Sequence, residues 1–197
     1  MSDRPPYDRP PYDRLPYRRL ARDLGALDQA LYEAVTVTET PALDEALRRL
    51  SAAADHSKLS FTAAALLALV PGRPRRAALL GVAAVGVASA SANLLGKKLV
   101  RRHRPHRAED SPFPERHVPM PESASFPSGH TASAVAFAAA VGPVLPVATV
   151  PLGMLAAAVG YSRVHTGVHY PGDVIAGALL GTGAAAVVLG VAARRAR

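Results

Sequence analysis

Leu20, Leu24, Leu27, Leu31 and Ala34 recur at helical spacing, so residues 20–36 read as an amphipathic helix. The stretch 36–41 breaks it, and a second amphipathic helix runs from about Leu43 through Leu47 and Leu50. Neither is apolar enough to cross a bilayer. Both are expected to lie on a membrane surface or against a helical bundle, with packing the default. The pattern then changes. Apolar segments occupy 59–70 and 77–96, two short helices within 130–162 separated by Gly142, Pro143 and Pro146, and finally 174–193. A span needs about 20 apolar residues. Segments 77–96 and 174–193 meet that length, and 59–70 can gain length from 51–58. The expectation is an all-α integral membrane helical bundle with about five spans plus N-terminal amphipathic helices. Gly, Ala and Ser are abundant in the apolar segments, which suits close helix packing in lipid.

Residues 1–19 repeat a Pro-Pro-Tyr-Asp-Arg unit at 5–9 and 10–14. Proline and charge at this density cannot bury a core, so this is expected to be a disordered tail. It does not read as a signal peptide, because no apolar region closely follows it. The chain therefore divides into a tail (1–19), interfacial helices (20–58) and a membrane-embedded core (59–197).

Composition refines this picture in three ways. The chain is 49% hydrophobic but only 5% aromatic, so its apolar content is aliphatic and alanine-rich. It has no cysteine, which excludes disulfides, thiolate metal sites and a thiol nucleophile. Its net charge of +8 could suggest a nucleic-acid binder. However, the excess sits beside apolar runs, at Arg73, Arg75 and Arg76, along 97–107, and at Arg194, Arg195 and Arg197. Positive flanks of this kind belong to membrane proteins, and no aromatic stacking platform appears. Arginine and alanine usage hints at a GC-rich bacterial genome.

With five spans, the polar loops 97–127 and 162–173 fall on one face. The 71–76 turn and the C-terminus fall on the other, which carries six arginines and no acid. That second face is expected to be cytoplasmic, leaving the polar loops on the extracytoplasmic face of a plasma membrane.

Three clusters on the loop face carry chemistry. In the first, Lys97 and Arg104 stand seven residues apart. On a helix ending before Pro105 they would project from the same side, a cationic end suited to phosphate. In the second, Ser128 is a natural N-cap and Gly129 permits close backbone approach. His130 follows in the first turn, placed to give a proton to a leaving oxygen. In the third, Arg163 offers a bidentate oxyanion partner. Pro171 starts a helix, which sets His169 just ahead of it and Asp173 in its first turn, where a carboxylate can orient an imidazole nucleophile. Each cluster alone has an ordinary structural explanation, namely charged flanks, capping or a polar loop.

Together they are specific. Lys97…Arg104-Pro105, Pro127-Ser128-Gly129-His130 and Ser162-Arg163…His169…Asp173 resemble, in order and spacing, the type 2 phosphatidic acid phosphatase superfamily. That superfamily includes lipid phosphate phosphatases, bacterial acid phosphatases and vanadium haloperoxidases. The resemblance covers roughly 77–193. It implies that His169 attacks phosphorus to form a phosphohistidine and that Asp173 orients His169. It further implies that His130 protonates the leaving alkoxide and then activates water. Lys97, Arg104, Ser128, Gly129 and Arg163 would hold the phosphate oxygens. Phosphoryl transfer depends chiefly on positioning and charge neutralisation. Three cations and backbone amides supply these here, so no metal or other cofactor is expected, and the loops lack the clustered carboxylates of a magnesium site.

His165 shares the loop, but its spacing to Asp173 is wrong for the pairing, and it is expected to be supporting or neutral. Asp55 and His56 are read as interfacial polar residues rather than catalytic ones. The expected substrate is a lipid phosphate or diphosphate in the bilayer: polyprenyl diphosphate, phosphatidic acid, phosphatidylglycerophosphate or a polyprenyl-phosphoryl sugar phosphate. The competing readings are a soluble acid phosphatase or haloperoxidase, and a non-catalytic membrane protein that binds anionic lipid.

Overall fold

The computed structural model describes residues 16–107 and 113–197, with the backbone alone at 16–18 and 95–97. The repeated tail therefore lies almost wholly outside the described residues. α1 (Pro16–Val37) and α2 (Pro41–Ala53) are the two amphipathic helices, and α1 starts a turn earlier than its leucine pattern. α3 (Lys58–Ala68), α4 (Arg73–Ser91), α6 (Gly129–Val141), α7 (Thr149–His165) and α8 (Pro171–Arg195) come from the five apolar segments. A wide helical turn, Ala92–Gly96, and the short α5 (Lys97–Leu99) extend α4. Helix is the only regular structure among the described residues.

Among the described residues, three helices are long and apolar enough to cross a membrane: Arg73–Leu94, Pro146–His165 and Pro171–Arg195, with 22, 20 and 25 residues. α6, with 13 residues, is shorter, yet it is the centre of the bundle. Ala132, Ala136 and Ala140 recur every four residues along it. They pack against Ala84 and Ala88 of α4 and Ala184 and Ala185 of α8. A second cluster on the far end joins Phe137 and Val141 to Ala64, Ala77, Ala78 and Val85. The outer surface keeps large apolar side chains exposed, among them Leu79, Met154, Ile175, Leu179 and Val187, as a lipid-facing bundle requires.

Small residues set how closely α8 approaches α6. A Cβ added at Gly177 would stand 2.5 Å from the Ser128 carbonyl oxygen. One at Gly181 would collide with the Ala132 carbonyl oxygen and stand 2.9 Å from the Ala136 amide nitrogen. Backbone cannot yield as a flexible side chain does. Gly181→Ala is therefore expected to destabilise the bundle by about 1–3 kcal/mol. The readout is a lowered midpoint of thermal unfolding in detergent. Gly183→Ala, where nothing lies within 4 Å, serves as the control. Equal midpoints would remove close α6–α8 approach as a constraint.

The leucine face of α1 does not pack on the bundle. Leu20, Leu24, Leu27 and Leu31 are all exposed, and the adjoining face makes the contacts. Tyr32 is buried with its ring 5.3 Å from that of Tyr170, and Asp28 accepts a hydrogen bond from the Gly172 amide at 2.6 Å. Of the two placements the pattern allowed, the described residues leave this stripe largely exposed.

Candidate active site

Four stretches converge at one end of the bundle: residues 100–107, the start of α6, the end of α7, and the 166–173 turn into α8. Pro171 occupies the first turn of α8, where its missing N–H costs nothing. Asp173 closes a capping box there, its Oδ2 accepting from the Tyr170 amide at 2.9 Å. One turn back, His169 Nδ1 stands 3.4 Å from the same oxygen.

Asp173 is fully buried and held from several sides. The Ser125 hydroxyl donates to Oδ2, and Arg102 donates to Oδ1 at 3.1 Å. Arg102 in turn pairs with Asp28 of α1 at 2.7 Å and lies over the Tyr170 ring, 4.0 Å from its centroid. Ser125, Arg102 and Asp28 carried no role in the sequence reading. Ser125 was visible beside the Pro-Ser-Gly-His run. Arg102 and Asp28 are joined only by folding.

The other ring nitrogen of His169 faces Arg104, whose Nη1 stands 3.2 Å from Nε2. A guanidinium can only donate, so Nε2 carries the lone pair and Nδ1 the proton directed at Asp173. This is the tautomer a nucleophile needs. Burial, with the positive charges of Arg104 and Arg163, pushes the His169 imidazole down to about 4, against the upward pull of Asp173. Protonation would quench the lone pair, so the neutral ring is present above about 4 and lost as pH falls through it. NMR titration of the ring signals, assigned with His169→Ala, is expected to place this histidine well below 6.5, its ordinary value. A midpoint near that ordinary value would contradict the buried, cation-flanked environment.

Arg104 departs from the expected helical placement. The helix ends at Leu99, so Arg104 projects from an irregular stretch and not from a stripe shared with Lys97. The chain is drawn off helical geometry by pairing with 123–125. The Ser125 amide bonds the Arg102 carbonyl at 2.9 Å, and Arg104 donates to the carbonyls of Ser123 at 2.9 Å and Val168 at 2.8 Å. Lys97 opens α5, and its side chain lies outside the described residues.

Ser128 caps α6 as its sequence suggested, accepting from the Thr131 amide. Its own amide donates to the Asp173 carbonyl at 2.9 Å, which ties α6 to α8. Gly129, His130, Arg104, Arg163 and His169 all line one cavity of about 430 Å³; Ser128 is buried behind it. Arg163 is buried, with Nη1 on the Ser51 hydroxyl at 2.7 Å, while its Nε has no hydrogen-bond partner among the described residues. An unpartnered cationic donor beside this cavity fits an anion.

Three residues set aside at the sequence level occupy defined places. His165 is buried, its Nε2 3.1 Å from Asp44 and 3.0 Å from the Thr40 hydroxyl, and Arg116 Nε reaches the same Asp44 oxygen at 2.9 Å. That cluster fastens α2 to the end of α7. Asp55 and His56 line the cavity, and Asp55 Oδ1 stands 2.8 Å from His130 Nε2. The contact spans 75 residues, and the sequence held no local signal for it.

Residues 77–197 match the PAP2 superfamily. Decaprenylphosphoryl-5-phosphoribose phosphatase of Mycobacterium tuberculosis is 38% identical over 165 residues, which cover 82% of this chain and 87% of that protein. The transmembrane PAP2-type phosphatidylglycerolphosphate phosphatase of Bacillus subtilis superposes with a TM-score of 0.69 at 24% identity, covering 87% of each chain. LpxE of Aquifex aeolicus superposes with a TM-score of 0.67 at 25% identity, covering 83% of this chain and 94% of that one. The arrangement around His169 and this breadth of similarity lead to one conclusion: the chain belongs to the PAP2 superfamily and is an integral membrane phosphatase.

Proposed function

We propose that this phosphatase hydrolyses a lipid phosphate or diphosphate monoester at the extracytoplasmic face of a bacterial plasma membrane, through a phosphohistidine on His169 and without a metal. The observation that carries the reading is the placement of His169, with Nδ1 3.4 Å from Asp173 Oδ2 and Nε2 3.2 Å from Arg104 Nη1 on the cavity. Among the candidate lipids, a polyprenyl-phosphoryl sugar phosphate comes first, because the mycobacterial relative named for such a substrate aligns along most of both chains.

In this reading the phosphate lies in the cavity between Arg104, Arg163 and the Gly129 backbone, with Lys97 joining them by its place in the motif. Ser128 contributes by fixing the start of α6. His169 Nε2 attacks phosphorus, the P–O bond to the leaving group breaks, and His130 supplies the proton that the leaving oxygen takes. Water, deprotonated by His130, then attacks the phosphohistidine and releases phosphate. Fixed cations neutralise the charge spread over the phosphoryl oxygens. The exposed leucine face of α1 rests in the interface, and the lipid tail stays in the bilayer while its headgroup enters the cavity.

Phosphate release in detergent, with EDTA present, on a panel of lipid phosphates tests this. Release that persists in EDTA and ranks the sugar phosphate lipid first is the expected result. Release abolished by EDTA would overturn the metal-free mechanism. Binding of anionic lipid with no release from any of them would favour the non-catalytic reading.

A further inference from the structure

The two histidines of the cavity need opposite protonation states. His169 must be neutral to attack, whereas His130 must hold a proton when the leaving group departs. Both sit among the same cations, and Asp173 serves only His169. Among the described residues that line the cavity, Asp55 is the one carboxylate. Its Oδ1 stands 2.8 Å from His130 Nε2 and 3.7 Å from Arg163 Nη1.

The backbone is bent to put it there. Asp55–Ser57 forms a single tight turn between α2 and α3. Within it, His56 (φ 55°) and Ser57 (φ 58°) both adopt the left-handed conformation. Neither is glycine, so each is held in a conformation that L side chains rarely adopt. Strain of this kind persists where surrounding structure enforces it, and here it breaks the helix beside the carboxylate that meets His130.

We propose that Asp55 is a positioning residue for His130, holding its imidazole by Nε2 and favouring the charged, proton-donating form as the leaving oxygen departs. The inference rests on the phosphohistidine reading above. In that step the bond from His169 Nε2 to phosphorus forms and the bond to the leaving oxygen breaks. The leaving oxygen keeps the electron pair and takes the proton from His130, and Asp55 remains a carboxylate throughout. The titratable and charged groups around His130 are Asp55 and His56 from the turn, Arg163 from α7, His169 from the turn before α8, and Arg104 from the 100–107 stretch. Burial and the Arg163 guanidinium oppose an imidazolium, and Asp55 offsets them.

The test compares esters that differ in their need for a proton. An alkoxide leaving group requires one and a nitrophenolate scarcely does. Asp55→Asn is expected to slow phosphate release from dodecyl phosphate about 100-fold and from 4-nitrophenyl phosphate only about 3-fold. The basic limb of the dodecyl phosphate profile should also move to lower pH. In a His130→Asn background the Asp55 substitution should add less than about 3-fold, because both changes remove one function. Equal losses on the two esters, or full additivity with His130→Asn, would overturn the role. A parent protein that releases phosphate from neither ester nor from any lipid phosphate of the panel would instead overturn the phosphohistidine reading beneath it.

Discussion

Replacing His169 with alanine is expected to lower phosphate release by more than about 10⁴-fold, the scale on which removal of a covalent nucleophile acts. The cavity would otherwise survive. Arg163 is held by Ser51, and Arg104 by the carbonyls of Ser123 and Val168, so neither depends on the imidazole for its place. Inorganic phosphate should still bind, and turnover alone should collapse. A second readout makes the prediction specific to the proposed intermediate. Brief reaction of the parent with a labelled lipid phosphate, followed by alkaline quench, should leave label on the protein, and the variant should carry none. A variant that still turned over within about tenfold of the parent would remove His169 from the chemistry.

How much of this could be read from the chain depends on the range of the interactions. The helices follow from local periodicity and caps: Ser128 and Pro171 begin α6 and α8 where their sequences say they should. The pairing of His169 with Asp173 was also legible, because both residues lie at one helix start and four residues fix their distance. Arg104 was read correctly as cationic but misplaced on a helix. Its position is set by hydrogen bonds to 123–124 and 168, which no local pattern reveals. Asp55 was read as an interfacial residue for the same reason. It meets His130 only because α3 packs beside α4 and α6, and a polar residue next to an apolar run reads as an interface residue until its partner is known. The leucine stripe of α1 shows a different limit. Periodicity identifies an apolar face but not whether protein or lipid covers it, and here the polar side, through Asp28 and Tyr32, makes the contacts.

Asp173→Asn is expected to keep the fold and lose about 10³–10⁴-fold in turnover, the size of effect seen when an orienting carboxylate is replaced by its amide. Folding should persist because Arg102 retains Asp28 as its ion-pair partner, and, with the amide oxygen in the Oδ2 position, Ser125 and the Tyr170 amide keep their acceptor. Asn cannot satisfy every donor that converges on this buried side chain. Its two oxygen positions become one oxygen and one NH₂. If the NH₂ faces His169, it donates to Nδ1 and drives the ring proton onto Nε2. Nε2 would then present a hydrogen to Arg104 and to the substrate and could not attack. If the oxygen faces His169, the NH₂ is forced against Arg102, donor against donor. Either orientation also removes the negative charge that, in the proposed step, stabilises the imidazolium character of His169 as its bond to phosphorus forms. The measurement is kcat for lipid phosphate hydrolysis beside the thermal midpoint in detergent. A collapsed kcat with a midpoint close to the parent's identifies an orienting carboxylate. Near-parental kcat would contradict that role, and a collapse of both would make Asp173 chiefly the cap that holds α8.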